Sequence, residues 1–296
     1  MTNEPLYLGV DLGGTQLRMA AVTRAGQPAT EVLSIHTGKT FTPDHLCEQI
    51  SRLMADLQSQ AGEREFAALG IGVTGIVRQG RLSGSDFLPL LNDLDFPAIL
   101  SPLTNCPVTV ENDARCFVLA EARFGAGRGA QNICGITLGT GVGGGLIVDG
   151  RLVHGATAQG GEVWSIPLRD KHLEYFLSGD GVVRGYLKAG GKHDEASDCA
   201  PGRAPDSALI ADLARRGDAA AQAAWTSFGA DLYLLCGTMI ALLDPEMIVI
   251  GGSLALARDL YIDQIIARLS HRSTRIVFAE LGRAAGVIGA AALNIE

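Results

Sequence analysis

Residues 6–15 have the sequence Leu6-Tyr7-Leu8-Gly9-Val10-Asp11-Leu12-Gly13-Gly14-Thr15. The mostly apolar first part predicts a buried strand, and the glycines predict a tight turn after it. Met19-Ala20-Ala21-Val22 then predicts a strand that returns from this turn. Glycine lets backbone N–H groups approach phosphate oxygens because no side chain intervenes. Taken alone, a plain hairpin explains the stretch at least as well.

A second stretch has the same design. It is Ile133-Cys134-Gly135-Ile136-Thr137-Leu138-Gly139-Thr140-Gly141-Val142-Gly143-Gly144-Gly145, and Leu146-Ile147-Val148 returns from it. Aligning the two turns places Thr137 opposite Asp11. Two turns of one design indicate a duplicated unit that holds a phosphate between its copies.

Composition narrows the class of protein. The 296 residues suit one large or two medium domains, and the net charge of −8 argues against a broad nucleic-acid-binding face. None of the six cysteines forms a C-x-C or C-x-x-C pair, which indicates buried thiols in a reducing compartment. The N-terminus has no signal-peptide pattern, and no uninterrupted apolar stretch reaches the roughly 18 residues that span a bilayer. We therefore expect a cytoplasmic protein without a membrane partner.

Predicted strands alternate with predicted helices, which is typical of an α/β protein. We expect three strands within residues 6–35 and further strands at 67–73, 108–111, 247–250 and 275–279. We expect helices at 43–61, 114–124, 207–216, 219–243, 256–269 and 283–293. The polar, turn-rich residues 189–206 predict a mobile surface loop.

Four motifs follow one another along the chain. They are Asp11-Leu12-Gly13-Gly14-Thr15, Glu111-Asn112-Asp113, the glycine turn 138–145, and Asp244-Pro245-Glu246-Met247-Ile248-Val249-Ile250-Gly251-Gly252. In this order they resemble the ROK family (repressors, open reading frames, kinases) of sugar kinases, from about residue 6 to the end. The resemblance implies a duplicated actin-like ATPase (ribonuclease H-like) fold. Two α/β domains, each with a mixed five-stranded sheet, then surround a cleft for nucleotide and sugar.

The resemblance also implies domain boundaries. We expect a small N-terminal domain at residues 1–112, completed by a C-terminal helix at 284–296, and a larger domain at 113–283. The family is often dimeric, so a homodimer is a possible assembly.

The chain departs from the family pattern in three places. Gly161-Glu162-Val163-Trp164-Ser165 replaces G-E-x-G-H, so Ser165 stands at the histidine position. Residues 166–190 contain no cysteine, so we predict no structural zinc. Phe87-Leu88-Pro89 replaces an N-L-P sugar-contacting segment, where Asp86 could substitute for the asparagine. Gln16 stands where the family often has lysine, with Arg18 as a substitute cation.

Asp113 is the candidate catalytic residue. It follows a predicted strand and precedes a predicted helix, the position where ligands meet open α/β sheets. The local sequence favours an N-cap role, because aspartate is a preferred cap. The resemblance favours a general base that accepts the proton of the attacking sugar hydroxyl, and both roles can hold at once.

The resemblance also assigns the nucleotide site. Asp11 would hold a hydrated Mg²⁺, mainly through water, and its alternative is a turn aspartate. Backbone donors from both glycine turns would hold phosphates, and two later glycines would hold adenine or ribose. The ATP-binding and phosphate-binding residues are then Asp11, Gly13, Gly14, Thr15, Thr140, Gly141, Gly251 and Gly252.

The sugar ligands follow from the same match. They are Gly75, Asn112, Asp113, Glu162, Ser165 and Glu174. Carboxylates and amides suit neighbouring hydroxyls because they accept or donate in pairs. The alternatives are an exposed loop charge for Glu162 and a solvated helix face for Glu174. We expect Trp164 to pack rather than to stack on a sugar, and His154 and His172 to be lone surface residues.

The predicted activity is ATP-dependent phosphorylation of a hexose or hexose derivative at O6, which is phosphoryl transfer to an alcohol acceptor with ATP and Mg²⁺. A transcriptional regulator is disfavoured, because the first motif begins too soon after Met1 for a DNA-binding segment. A catalytically weak sugar-binding protein and a polyphosphate-dependent glucokinase stay as alternatives. The sequence leaves the sugar open.

Overall fold

The computed structural model describes residues 4–192, 206–270 and 272–296. Residues 193–205 of the predicted loop, with Cys199, lie outside the described residues.

Fourteen strands and nine α-helices lie in this described part. The strands are β1 (Leu6–Leu12), β2 (Gln16–Val22), β3 (Leu33–His36), β4 (Phe66–Val73), β5 (Ile76–Arg78), β6 (Arg81–Gly84), β7 (Val108–Asn112), β8 (Ile133–Leu138), β9 (Val142–Val148), β10 (Arg151–Leu152), β11 (Pro167–Leu168), β12 (Lys171–His172), β13 (Met247–Gly251) and β14 (Arg275–Phe278). The helices are α1 (Pro43–Ala61), α2 (Phe96–Thr104), α3 (Asp113–Phe124), α4 (Glu174–Leu177), α5 (Gly179–Lys188), α6 (Ser207–Arg215), α7 (Ala219–Leu243), α8 (Ile262–Leu269) and α9 (Ala285–Ala292).

The chain divides into two compact units. The first contains residues 1–131, 145–161 and 279–296, and the second contains residues 132–144 and 162–278. Because the first unit includes α3, its bounds do not coincide with the predicted domain division at residue 112. That division stays a prediction about domains.

The first five-stranded sheet has the order β3-β2-β1-β4-β7. Strands β1, β4 and β7 are parallel, and β2 is antiparallel to both of its neighbours. The sheet is therefore mixed. Its apolar side chains pack with α1, whose Leu46, Ile50 and Leu53 are buried.

Helix α9 completes the first unit because glycines let it approach the sheet closely. A methyl group added at Gly9 would lie 2.0 Å from Val287 O, and one at Gly70 would lie 1.7 Å from Ala290 O. The buried Glu121 side chain holds the segment before α9, since its carboxylate accepts hydrogen bonds from the N–H groups of Glu280 (3.1 Å) and Leu281 (3.0 Å).

The second five-stranded sheet has the order β10-β9-β8-β13-β14. Strand β13 is parallel to β8 and β14. Its strand order repeats that of the first sheet, with β1, β2 and β4 corresponding to β8, β9 and β13. This repeat matches the duplication that the two glycine turns predict.

Helix α7 is the long core helix of the second unit. It contacts α5, α6 and α8, and Trp225 and Phe228 on it pack against the ring of Tyr261. Among the described residues, α7 is also the one helix long and apolar enough to cross a membrane by length and composition. Buried core helices meet the same criterion, which suits its place here.

The predicted helix at 256–269 is wrong in its extent. A 3-10 segment covers Ser253–Leu260, and α8 begins at Ile262. Tyr261 breaks the helix, with φ −141° and ψ −19°, and its ring is buried between α7 side chains. Tertiary packing of this aromatic ring therefore overrides the helical spacing.

Candidate active site

The first unit gathers four predicted site residues at one edge of its sheet. Asp11 lies near the end of β1, Gly75 follows β4, and Asn112 and Asp113 stand where β7 passes into α3. The register pairs Val73 with both Leu12 and Asn112, so the ends of the three parallel strands are level. Ligands of open α/β sheets bind at this carboxyl edge.

Asp113 is the first residue of α3, and Asn112 is the N-cap. The Asn112 Oδ1 accepts a hydrogen bond from the Arg115 N–H at 3.1 Å. The cap role considered for Asp113 therefore belongs to its neighbour. The half-buried Asp113 accepts from the Ala114 N–H at its Oδ1 (2.9 Å), which orients the carboxylate.

Asn112 also contacts the turn after β4. Its Nδ2 donates to Gly75 O at 3.0 Å. Gly75 has φ of 127°, and an added methyl group would lie 2.4 Å from Gly84 O. The turn therefore requires glycine. The Gly75 carbonyl oxygen holds the Asn112 side chain in place next to Asp113.

Asp11 stands opposite Arg18 in the hairpin of β1 and β2. The Arg18 Nη1 lies 3.5 Å from Asp11 Oδ2. Burial raises the pKa of the Asp11 carboxyl, and the positive charge of Arg18 opposes part of that rise. A methyl group added at Gly286, in the first turn of α9, would lie 2.8 Å from Asp11 Oδ2. The start of α9 therefore packs against this carboxylate.

One backbone N–H group of the first glycine turn already donates a hydrogen bond within the hairpin. The Gly13 N–H donates to Gln16 O (2.9 Å), and Thr37 supports the turn by donating from its hydroxyl to Gly13 O (2.8 Å). Gly14 lies against Phe87, because an added methyl group would be 2.6 Å from Phe87 Cβ. Phe87 therefore covers the first glycine turn.

A buried network that sequence reasoning missed lies behind Asp113. The carboxylate of Glu111 contacts Arg115 Nη1 (3.0 Å) and His154 Nε2 (2.6 Å), and it accepts from the Asn112 N–H (2.7 Å). Arg115 is fully buried and also donates to Ala158 O (2.7 Å) and Gly160 O (3.1 Å). His154 is exposed, as expected, but it is not lone.

The i, i+4 spacing of Glu111 and Arg115 is a usable sequence signal for part of this network. His154 and the two carbonyls are more than forty positions further along the chain, and no local pattern connects them.

The second unit gathers its own set of predicted residues around the second glycine turn. The Gly139 N–H donates to Gly141 O (3.0 Å), while Thr140 is exposed at the tip. Gly251 ends β13 opposite Thr137, and Gly252 has φ of 87°. A methyl group added at Gly252 would lie 2.2 Å from Leu138 O, so the two glycine segments are in contact.

Glu174 joins this second set. Its Oε2 accepts from the Val142 N–H at 2.9 Å, and a methyl group added at Gly141 would lie 2.6 Å from the same oxygen. The carboxylate therefore contacts the glycine turn and is not on a solvated helix face.

Glu162 and Ser165 lie at either end of a short 3-10 helix, Val163–Ser165. The Ser165 hydroxyl donates to Glu162 O (2.9 Å), and Trp164 Nε1 donates to Glu162 Oε2 (2.7 Å). Trp164 is 37% exposed, and its ring lies perpendicular to the ring of His172, with 5.9 Å between the centroids. The predicted packing of Trp164 is thus limited to a surface contact, and His172 is not lone.

No group of three or more histidine, cysteine, aspartate or glutamate side chains that could hold a metal occurs among the described residues. Asp11 offers a single carboxylate. That fits Mg²⁺, which keeps several waters and uses one or two carboxylates beside substrate phosphates. The absence of structural zinc stays a prediction.

Comparison with known protein families gives a match over nearly the whole chain. The sequence model described as ROK family matches residues 7–296. The chain belongs to the ROK family.

Two proteins similar in sequence to this chain are kinases named for different sugars. The chain is 31% identical to the N-acetylgalactosamine kinase AgaK of Shewanella sp. (strain ANA-3), covering 98% of this chain and 96% of that protein. It is 29% identical to the glucokinase of Streptomyces coelicolor, covering 98% of each.

A solved structure extends the comparison to the fold. The ROK family glucokinase from Streptomyces griseus, in complex with glucose and AMPPNP, superposes with a TM-score of 0.81 at 25% identity, covering 97% of this chain and 98% of that one. The ROK chain described here has the actin-like ATPase fold with two mixed sheets, as the motifs predict.

Proposed function

We propose that this ROK protein is an ATP-dependent kinase that phosphorylates a hexose or hexose derivative at O6, with Asp113 as general base. The observation that carries the proposal is the carboxyl edge of the first sheet, where Asp113, Asn112 and Asp11 stand at the level ends of parallel strands. Similar proteins acting on glucose and on N-acetylgalactosamine support the sugar class.

Phosphoryl transfer depends mainly on positioning and on stabilising charge. Asp113 accepts the proton of the sugar 6-hydroxyl while the hydroxyl oxygen attacks the γ-phosphorus of ATP. The bond between the γ-phosphorus and the leaving ADP oxygen breaks in the same step. The N–H of Ala114 holds the Asp113 carboxylate in one orientation, and Asn112 holds the adjoining turn. Asn112, Glu162, Ser165 and Glu174 are the proposed hydroxyl ligands, with Gly75 lining the sugar.

The proposed phosphate ligands are the backbone donors of the two turns, at Gly14, Thr15, Thr140 and Gly141. Gly13 supports its turn through the bond to Gln16 O. Gly251 and Gly252 are proposed to lie against the nucleoside. Asp11 would hold Mg²⁺ through water, and the bound ion would neutralise phosphate charge. An ATP-dependent enzyme of this kind belongs in the cytoplasm.

The test is a steady-state assay of ADP release with Asp113→Asn. Asparagine keeps the shape of the side chain but cannot accept the proton, so we expect kcat to fall by about 10²–10⁴ while sugar affinity stays within about threefold. Asp44→Asn, an exposed carboxylate in the first turn of α1, is the matched control and should keep wild-type turnover. A wild-type kcat in Asp113→Asn would reject the assignment.

The substrate is tested with the same assay against glucose, mannose, N-acetylmannosamine, N-acetylglucosamine and N-acetylgalactosamine, each with ATP or polyphosphate. We expect turnover with ATP and at least one of these sugars. Sugar binding without ADP release under any condition would instead favour the catalytically weak alternative.

A further inference from the structure

A cavity of about 610 Å³ lies within the second unit. Side chains of α4, α5, α7 and the turn between β11 and β12 line it. None of its lining residues is among the predicted substrate or nucleotide ligands. Its volume falls in the range of small-molecule sites.

The lining is rich in positive charge. Arg169, Lys171, Arg184 and Lys188 contribute cations, whereas Asp170 and Asp231 contribute carboxylates. The buried Asp231 carboxylate is already paired, because it accepts from both Nη atoms of Arg169. Lys171, Arg184 and Lys188 form no ion pair with a described residue. Apart from the Arg169–Asp231 pair, the lining therefore contains three cations and one carboxylate, that of Asp170.

Two contacts with Tyr175 fix the position of the Arg184 guanidinium. Its guanidinium stacks on the ring of Tyr175, 4.0 Å from the centroid, and its Nη2 donates to Tyr175 O (2.6 Å). Its Nε is buried and has no hydrogen-bond partner among the described residues. The Arg184 guanidinium lines the cavity, and a stacked guanidinium loses little further freedom when it binds an anionic oxygen.

We propose that this cavity binds a small molecule carrying a phosphate group, with Arg184, Lys171 and Lys188 around the phosphate. A dianionic phosphate suits three cations, since guanidinium and ammonium groups form strong charge-assisted hydrogen bonds with its oxygens. Tyr175, Phe176 and Phe228 also line the cavity, beside the cations. The volume has room for a phosphosugar.

The experiment is isothermal titration of the full chain, without ATP, with glucose 6-phosphate and with inorganic phosphate. The variant Lys171→Gln/Lys188→Gln removes two exposed cations and should weaken binding at least about tenfold. Arg184→Gln should weaken it similarly. Arg272→Gln removes an exposed cation of the same unit outside the cavity, so we expect an affinity within about twofold of wild type. Tighter binding of glucose 6-phosphate than of phosphate would identify the phosphosugar as the ligand class.

The cavity variants distinguish the cavity from the candidate active site, since only binding at the cavity depends on Lys171, Arg184 and Lys188. The proposal is overturned if neither probe binds, or if the cavity variants leave the binding of both probes intact. It is also overturned if the cavity variants change only the sedimentation of the protein, because the face would then be a contact between copies. The titration requires no turnover, so it can succeed or fail independently of the proposed kinase activity.

Discussion

Arg115 is a fully buried cation whose partners come from two parts of the chain. It binds Glu111, four positions before it, and the carbonyls of Ala158 and Gly160. Removing Arg115 would leave the buried Glu111 carboxylate with only His154 and the Asn112 N–H as partners among the described residues, and breaking such a buried pair costs more than the pair contributes. The residue thus connects the segment that carries Asp113 to the chain just before Glu162.

We predict that Arg115→Met lowers the free energy of unfolding by about 3–5 kcal/mol. Because Glu162 follows the Gly160 carbonyl by two positions, the KM for sugar should rise more than kcat falls. Urea titration and sugar kinetics measure the two effects.

The double variant Arg115→Met/Glu111→Gln is the control. It also removes the negative charge of Glu111, which has lost its buried cation, so it should recover part of the lost stability. A double variant no more stable than Arg115→Met would show that the charge pair is not the cause.

At this scale the sequence predicted part of the site. Asp113 and Asn112 are found at a strand end followed by a helix, as their spacing indicates, but the capping role lies one residue earlier than considered. Two adjacent residues with cap-forming side chains cannot be separated by local pattern. The contact of Glu174 with the second glycine turn depends on how α4 packs, which no local spacing encodes.

At the scale of elements, the sheets and the long helices α1 and α7 were predictable because apolar periodicity and caps agree there. Thr42 caps α1, Pro43 begins it and Gly62 ends it. The short elements β11, β12 and α4, which lie where the zinc-binding pattern is missing, carry too few residues to show a period. Tyr261 defeats the prediction of one helix because its burial is a tertiary effect.

The close contact between α9 and the first sheet should make a substitution of Gly70 destabilising. Gly70→Ala would place a methyl group 1.7 Å from Ala290 O, which only a shift of α9 can relieve. We expect a loss of about 3 kcal/mol in the free energy of unfolding, since overpacking displaces backbone here.

Gly237→Ala is the matched substitution. Gly237 lies inside α7 and has no atom within 4 Å of the added methyl group, so we expect a gain of about 0.5–1 kcal/mol. Chemical denaturation of both variants measures the difference. Equal effects would contradict the close packing of α9.

At the scale of the whole molecule, buried thiols make stability depend on pH. Burial raises the pKa of Cys134 and of Cys236 to about 12, from an ordinary value of 9.0. Above pH 9 the unfolded chain releases these protons while the folded chain keeps them. The unfolded state then binds fewer protons, so stability falls as pH rises between about 9 and 12.

We predict that Cys134→Ala/Cys236→Ala loses less stability than wild type between pH 8 and 10, by up to about 1.4 kcal/mol per pH unit for each thiol. Urea titrations at several pH values give the two slopes. Cys47→Ala, at a half-buried position, serves as the comparison and should keep a slope close to that of wild type. Identical slopes in wild type and the double variant would show that these thiols do not control alkaline stability.

The position of α9 has a consequence for biosynthesis. The ribosome makes residues 162–278 of the second unit before it makes the segment 279–296 that completes the first. During translation the first sheet therefore waits with the surface around Gly9 and Gly70 uncovered, while the later unit can already close its core. The half that begins first finishes last, and the nascent chain needs protection from aggregation longest at its N-terminal sheet.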